Sequence, residues 1–454
     1  MTVATDHPKH ASHPAKSPMG LASLARALRH RNYRLFFFGQ GTSMIGTWMQ
    51  QTALGWLVYR LTGSTVLLGV VAFCAQIPVF CLAPLAGVLA DRTDRRRLLV
   101  ATQTTAMLQA TLLGILTLTG VIAVWHIIVL SLVLGLVNAF DIPIRQSFVV
   151  EMLESPKDLP NALALNSLTV NAPRLLGPVI AGELIYRLGE GMCFVLNAAS
   201  YLAVIGALLA MTVHHHRRPA AEKSILANLK EGARYAIGFT PIRSLLMLVA
   251  AISLLGMPYT VLLPVFAKNI LHGTSRTQGM LMASIGAGAI VGVFYMASRH
   301  SVRGLGKILV MACCLFGGAL IAFGMSRLQL LSMALLVAAG FGTMVQMVGT
   351  NSLIQTLVDD DKRGRVMSFY TLCFGGMGPF GNLLAGGLAG AFGAPVAVMV
   401  GGTGCILAAS AFASLLPRLG RMVHPIYVKM GLINDGSLLG KGRNYGDLTQ
   451  EARL

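Results

Sequence analysis

Gly87-Val-Leu-Ala-Asp91-Arg92-Thr-Asp94-Arg95-Arg96-Arg97 stands between two apolar runs, 66–90 and 98–119. Six of the seven residues from 91 to 97 are charged. Such a cluster cannot lie in hydrocarbon, where one Asp, Lys or Arg at mid-depth costs at least ~2.5–3.5 kcal/mol. The flanking runs are the opposite: each is longer than the ~20 predominantly apolar residues that cross a bilayer. The stretch therefore reads as a loop between two membrane spans. The spans must be helical, because lipid offers no partner to backbone N–H and C=O groups.

Working outward in both directions, the same alternation gives twelve runs: 35–59, 66–90, 98–119, 124–147, 161–185, 193–213, 243–267, 276–298, 306–326, 329–350, 366–390 and 395–416. A chain of 454 residues that is 55% hydrophobic and 12% charged has too little charge to cover a soluble surface. The net charge of +19 would suit a nucleic-acid binder, yet the basic residues are scattered in short segments between apolar runs. Thirty of the 36 Lys and Arg fall on the side of the N-terminus, five fall on the other side, and Arg174 lies inside a span. That asymmetry predicts both termini in the cytoplasm of a multi-pass inner-membrane protein, with no nucleic-acid partner. Residues 1–33 carry no cleavable signal pattern, so the first run is expected to remain a span. The seven cysteines lie in apolar runs without a Cys-x-x-Cys pair and read as packing residues, not as a metal site.

The expected organisation is an N-terminal tail, 1–34; a first six-helix bundle, 35–213; a cytoplasmic linker, 214–242; a second six-helix bundle, 243–416; and a C-terminal tail, 417–454. The linker opens on His214-His215-His216 and carries Ile225, Leu226, Leu229, Ala233 and Ile237 at near-helical spacing, which predicts an interfacial amphipathic helix. Val149-Val150-Glu151-Met152-Leu153-Glu154 has its counterpart in Ile354-Gln355-Thr356-Leu357-Val358-Asp359, and Gly177-Pro178 in Gly378-Pro379. Six spans plus six, with matching features, is the pattern of a transporter built from a repeat.

Few ionisable groups enter the membrane. Of 17 acids, only Asp141 and Glu183 fall within or near spans. Asn138, Asp141 and Arg145 share a helix face, and Asp141 and Arg145 are spaced i, i+4 for a local pair. Arg174 lies midway along its span, with Asn171 and Ser167 on the same face. It needs either a partner on a neighbouring helix or a watery cavity, where it would bind or pair with an anion. Gln40, Ser43, Thr47 and Gln50 or Gln51 form a polar stripe on the first span; Thr343, Gln346 and Thr350 do so on the tenth. With Asn382 and Gln76, these are candidates to line a substrate cavity, and Trp48, Tyr259, Phe36 and Phe374 are candidates to pack a ring. No nucleophile–base pair, metal set or phosphate loop appears, so no cofactor and no enzymatic chemistry are expected.

The opening stretch resembles the major facilitator signature Gly-x-x-x-Asp-Arg-x-Gly-Arg-Arg, with Asp94 where Gly is usual. The resemblance implies that Gly87, Asp91, Arg92, Arg95 and Arg96 form a cytoplasmic gate cluster, in which Arg95 and Arg96 pair with Asp91. Gly177-Pro178-x-x-Ala181-Gly182 is similar to the export-associated element of proton antiporters, a helix bend sealed by small residues. Phe140 to Phe148, Asn161 to Gly182 and Arg363 to Ser368 resemble the secretion-effector branch, which includes enterobactin and macrolide exporters; the likeness extends over roughly residues 24–416. It implies an all-α protein of twelve transmembrane helices in two pseudo-symmetric six-helix bundles. Such a protein exports a small organic molecule against a flow of protons by alternating access, as a monomer. Asp141, then Glu183, are the candidates to carry the proton, and Asp141 is equally suited to holding its helix by a salt bridge. An importer of the same fold, and a membrane sensor that no longer cycles, are the alternatives.

Overall fold

The structure, a computed structural model, describes residues 26–152, 158–212, 234–299, 301–359 and 362–429; within its helices the side chains of 83–92, 150, 151, 159, 160, 163, 164, 426 and 429 lie outside that description. The linker's amphipathic stretch up to Ala233 and its His run fall outside it too.

Twelve long helical elements follow one another: α1 (Arg31–Thr62), α2 (Thr65–Arg92), α3 (Arg95–Leu118), α4 (Val124–Glu151), α5 (Leu159–Leu188), α6 (Glu190–Ala210), α7 (Thr240–Ile270), α8 (Ser275–Ala297), α9 (Leu305–Met325), α10 (Gln329–Leu357), α11 (Arg363–Phe392) and α12 (Ala394–Lys429). No strand occurs among the described residues. Nine of the twelve are long and apolar enough to cross a membrane by length and composition; α1, α5 and α11 are not among them. Those three carry Gln40 and Gln51, Arg174 and Asn382, respectively. Phe294 and Leu330, 70% and 80% exposed, stand on an outer surface rich in bare apolar side chains, as a lipid-facing surface is.

The ends are set by local chemistry. The short turns between α5 and α6, and between α11 and α12, are made at Gly189 and Gly393, whose φ of 81° and 87° disfavour any L side chain. They hold equivalent places in the two halves. Asp94 caps α3, accepting from the backbone N–H of Arg96 at 2.9 Å and of Arg97 at 3.2 Å. With φ at −63° the position needs no glycine, so the departure from the family signature gains a cap worth ~1 kcal/mol. Two elements differ from the sequence expectation. α7 is not uniform: an α segment passes at Ile252 into π, then 3-10 at Met257–Leu262, then α and π again. Pro258 and Pro264 remove backbone donors there. α12 runs past 416, the expected start of the tail, to Lys429, because Leu419 and Val423 continue its buried face.

The two halves repeat one packing scheme. In the first, α1 packs on α5 and α6, α2 on α4, and α3 on α4 and α6; the second pairs α7 with α11 and α12, α8 with α10, and α9 with α10 and α12. The halves meet through α2 against α11 and α5 against α8. At the end remote from the termini, Leu57, Tyr59 and Leu68 of the first half join Tyr259, Leu262 and Phe266 of the second, in an apolar core that continues through the second half to Leu305 and Val423. Toward the termini the first half has its own core, around Tyr33, Phe36, Phe148 and Leu208.

Candidate functional site

Between the halves lies a space of about 140 Å³, lined from α1 by Gln51, Leu54 and Gly55, from α2 by Gln76, from α7 by Thr260 and Pro264, from α8 by Gln278 and Met282, and from α11 by Asn382. Gln51, Gln76 and Asn382 were legible as candidates. Gln278 and Met282 were not, because α8 shows no polar stripe in sequence. The Gln278 side chain bridges the halves, donating to the Thr52 carbonyl at 3.1 Å, while its own Oε1 has no partner.

Arg174 is not among the residues lining this space; it stands beside Trp48, about one turn of α1 nearer the termini than Gln51. Its guanidinium lies 5.8 Å from the centroid of the Trp48 ring on α1, and Tyr259 of α7 is near enough to couple with its charge. Trp48 is one turn from Gln51 on α1, and Gly286 of α8, one turn from Met282, packs on the Arg174 backbone. No carboxylate among the described residues forms an ion pair with Arg174. Its side chain is half-buried. Phe36 and Phe374, the other ring candidates, are elsewhere: Phe36 is in the first half's core and Phe374 stacks on Tyr370.

Asp141 is 3% exposed and lies inside the first half. Its Oδ1 accepts from Thr102 Oγ1 at 3.0 Å and Gln103 Nε2 at 2.7 Å, both on α3. Its Oδ2 faces Arg145 Nε at 3.7 Å, so the local pair forms, loosely, and Arg174 is not the partner. Arg145 in turn lines a cavity of about 60 Å³ with Gln40, Gln146 and Asn166.

Small residues of α5 explain how that helix fits between two others. A Cβ on Gly177 would stand 2.5 Å from Trp48 Cβ, and one on Gly182 would stand 2.8 Å from the Ser275 carbonyl, with Gly279 alongside. Gly177, Pro178 and Gly182 thus set α5 against α1 on one side and α8 on the other. Pro178 and Pro379 lie inside continuous helices. On α11, Gly378 lies against Gln76, and Gly386 against Gly69 and the Thr65 carbonyl.

At the remote end, Glu183 of α5 accepts from Arg276 of α8, with Nε at 2.6 Å and Nη2 at 2.8 Å, and also pairs with Arg187. The Arg276 guanidinium stacks 3.8 Å from the Tyr186 ring centroid. Asn269 donates to the Tyr59 hydroxyl at 2.7 Å, Ser275 to the Gly182 carbonyl at 2.9 Å, and Thr65 to the Gly386 carbonyl at 3.2 Å. Apart from Glu183–Arg187, which lies within α5, each of these contacts joins one half to the other. The buried Glu190 holds Arg60 within the first half, at 2.6 Å.

Several expectations need correction. Arg96 donates to the carbonyls of Leu208 and Leu209, each at 2.7 Å, capping the end of α6, while its expected pairing with Asp91 lies outside the described residues. A helix C-terminus offers unpaired carbonyls that suit a cation. Gly87, Asp91 and Arg92 end α2, but their side chains lie outside the description. The α1 stripe divides. Gln51 faces the inter-half space, while Gln50 bonds Gln109 and Asn197 and Ser43 is buried beside it in the first half. Thr47 is half-buried and donates to the Ser43 carbonyl. Gln346 and Thr350 bond each other and are not among the residues lining the space. Asn171 donates to the Ser167 carbonyl of its own helix, and Asn138 is half-buried on α4. A larger cavity of about 320 Å³ lies within the second half, walled by apolar side chains such as Leu245, Leu353 and Phe412, with Lys307 at its edge. It lacks converging polar groups.

Residues 22–424 match the transmembrane secretion effector family. The staphyloferrin A transporter of Staphylococcus aureus is 27% identical over 79% of this chain and 90% of its own. The enterobactin exporter EntS of Citrobacter koseri is 24% identical over 89% of this chain and 96% of its own. Among solved structures, a bacterial homolog of the human lysosomal transporter Spinster, inward-facing and occupied, superposes with a TM-score of 0.68 at 14% identity, covering 87% of this chain and 98% of that one.

Proposed function

This chain belongs to the transmembrane secretion effector family, and from that premise we propose that it is a proton-coupled exporter of a small organic amphiphile from the cytoplasm. The coarser statement stands by itself: it is a multi-pass membrane transporter with the major facilitator fold, not an enzyme. Its relatives include an enterobactin exporter by name and a multidrug efflux pump of Mycolicibacterium fortuitum, and small organic amphiphiles are the substrate class we assign.

The observation that carries the reading is the placement of the contacts between the halves. They share an apolar core and the Glu183–Arg276 ion pair at the end remote from the termini, whereas toward the termini the first half packs around a core of its own. With both termini cytoplasmic, as the distribution of basic residues favours, this arrangement supports reading the structure as the inward-facing state of an alternating-access cycle. Substrate enters the inter-half space from the cytoplasmic side past Arg174. Rocking of the halves then separates α5 from α8 and opens the space outward. Asp141 is the proton carrier we assign. Its Oδ1 is held by two donors, but its Oδ2 has only the 3.7 Å contact with Arg145, so a proton can take that place when Arg145 moves. The protein works as a monomer, since one chain encloses the whole space.

The test begins with the compound that disappears from the medium, and accumulates in cells, when the gene is deleted. Everted vesicles given an acid interior should take up that compound and lose interior protons together. With Asp141→Asn, uptake driven by the gradient should stop while binding persists. Uptake of the compound by intact cells, or uptake in vesicles that ignores the gradient, contradicts the proposal.

A further inference from the structure

Arg174 presents a chemical problem that the packing does not solve. A guanidinium at mid-membrane depth is normally neutralised by a carboxylate or hydrated in a cavity. Asp141, the other mid-depth charge, is consumed by Thr102, Gln103 and Arg145 inside the first half. Glu183 lies more than two turns along α5 from Arg174 and is held by Arg276 and Arg187. The neighbours of Arg174 are instead aromatic: the Trp48 ring lies at 5.8 Å, and the buried Tyr259 phenol, carried by the 3-10 turn of α7 across the divide, is near enough to interact with its charge. Its backbone is fixed by Gly286 and, one turn on, by Gly177 against Trp48, so the guanidinium is held in place without being satisfied.

We propose that Arg174, Trp48 and Tyr259 form the substrate-recognition site of this transporter, and that the site selects organic anions bearing a planar ring. The anionic group pairs with the guanidinium, whose planar fork suits carboxylate-like groups. The ring stacks at Trp48 and reaches into the space lined by Gln51, Thr260 and Asn382. Gln278 Oε1 and Asn382 offer polar positions at its far end. An anion in this position neutralises the cation that the bundle leaves open, so binding and closure around it favour each other. A neutral or cationic compound of the same shape gains the stacking but leaves the buried charge uncompensated.

This inference rests on the transport reading for its purpose, but binding tests it separately. Purified protein carrying Trp56→Phe and Trp125→Phe keeps Trp48 as its one tryptophan. Its fluorescence is titrated with 4-nitrobenzoate, 4-nitrobenzamide and 4-nitrobenzylammonium, three quenchers of one shape and different charge. The benzoate should bind at least about tenfold more tightly than the other two. Arg174→Gln should erase the preference, and Arg174→Lys should keep part of it. Trp48→Leu, followed by calorimetry, should weaken all three while the preference for the anion survives. Equal binding of the three probes, no detectable binding of the benzoate, or an unchanged preference in Arg174→Gln overturns the site. Should Arg174→Gln fail to fold, the Lys and Trp48→Leu variants decide. If the benzoate binds through Arg174 but vesicles show no gradient-driven transport, the site stands and the exporter reading falls.

Discussion

Asp141 and Arg174 are both intramembrane charges, yet the structure gives them opposite environments. Asp141 is saturated on one oxygen by side chains of α3, so removing the carboxylate strands two groups at once, the Gln103 amide and the Arg145 guanidinium. Breaking a buried pair by deleting one partner costs about 3 kcal/mol or more. Asp141→Leu should therefore lower the melting temperature of the detergent-solubilised protein by several degrees, whereas Asp141→Asn, which keeps the shape and an acceptor, should lose markedly less. Equal melting temperatures for wild type and Asp141→Leu would show that the network contributes nothing. Arg174→Gln should behave differently, with little loss of stability, because no ion pair is broken. That these two residues matter was legible in the sequence, since a charge in an apolar run needs a reason. Their partners were not. Thr102 and Gln103 are ordinary polar residues of α3, and only the rotation of α3 against α4 brings them to Asp141. Similarly, Gln50 and Gln51 are adjacent letters. Helix rotation sends one into the core of the first half and the other into the space between halves.

The twelve helices were readable because lipid demands unbroken apolar runs of about 20 residues, and most observed ends fall within a few residues of the expected ones, the end of α12 at Lys429 being the clear exception. What composition could not reveal is how α7 is wound, because its π and 3-10 segments arise from two prolines accommodated within one span. The small residues of α5 could be read as packing positions, but not what they pack against. Each is specific. Gly177→Val would drive a branched side chain into Trp48, whose Cβ already lies 2.5 Å from the site of the new Cβ. Since this collision is with a neighbouring helix inside one half, we expect a stability loss of about 1–3 kcal/mol, typical of overpacking, together with weaker binding at Arg174, one turn away. Gly182→Val meets α8 across the divide instead. It should leave the first half intact but press the halves apart at the remote end, so that a cysteine placed at Gln51 becomes more accessible to a membrane-impermeant thiol reagent. An unchanged labelling rate in Gly182→Val, in protein of normal stability, would mean that α5 and α8 do not need their close approach.

Taken whole, the molecule is two similar bundles, and in the proposed cycle their balance between states is set by what they share. At the remote end that is an apolar core, several hydrogen bonds and one ion pair, Glu183–Arg276, in which both side chains are about 40% exposed. An ion pair this exposed adds little to folding stability. In the proposed alternating-access cycle it is formed in one state and broken when α5 and α8 separate, so its effect falls on the equilibrium between states. Glu183→Gln and Arg276→Gln should each raise the labelling of a Gln51→Cys reporter several-fold without moving the melting temperature. High salt should narrow the difference between wild type and variant, because exposed charges are screened. The charge-swapped double variant, Glu183→Arg with Arg276→Glu, tests the pair directly. The swapped glutamate at 276 faces arginine at 183 and at 187, so labelling should return toward the wild-type rate. If each single change alters labelling but the swap does not restore it, the two residues act on the equilibrium separately, and the remote end is held by its apolar core and the Asn269–Tyr59 and Ser275–Gly182 hydrogen bonds instead of by charge.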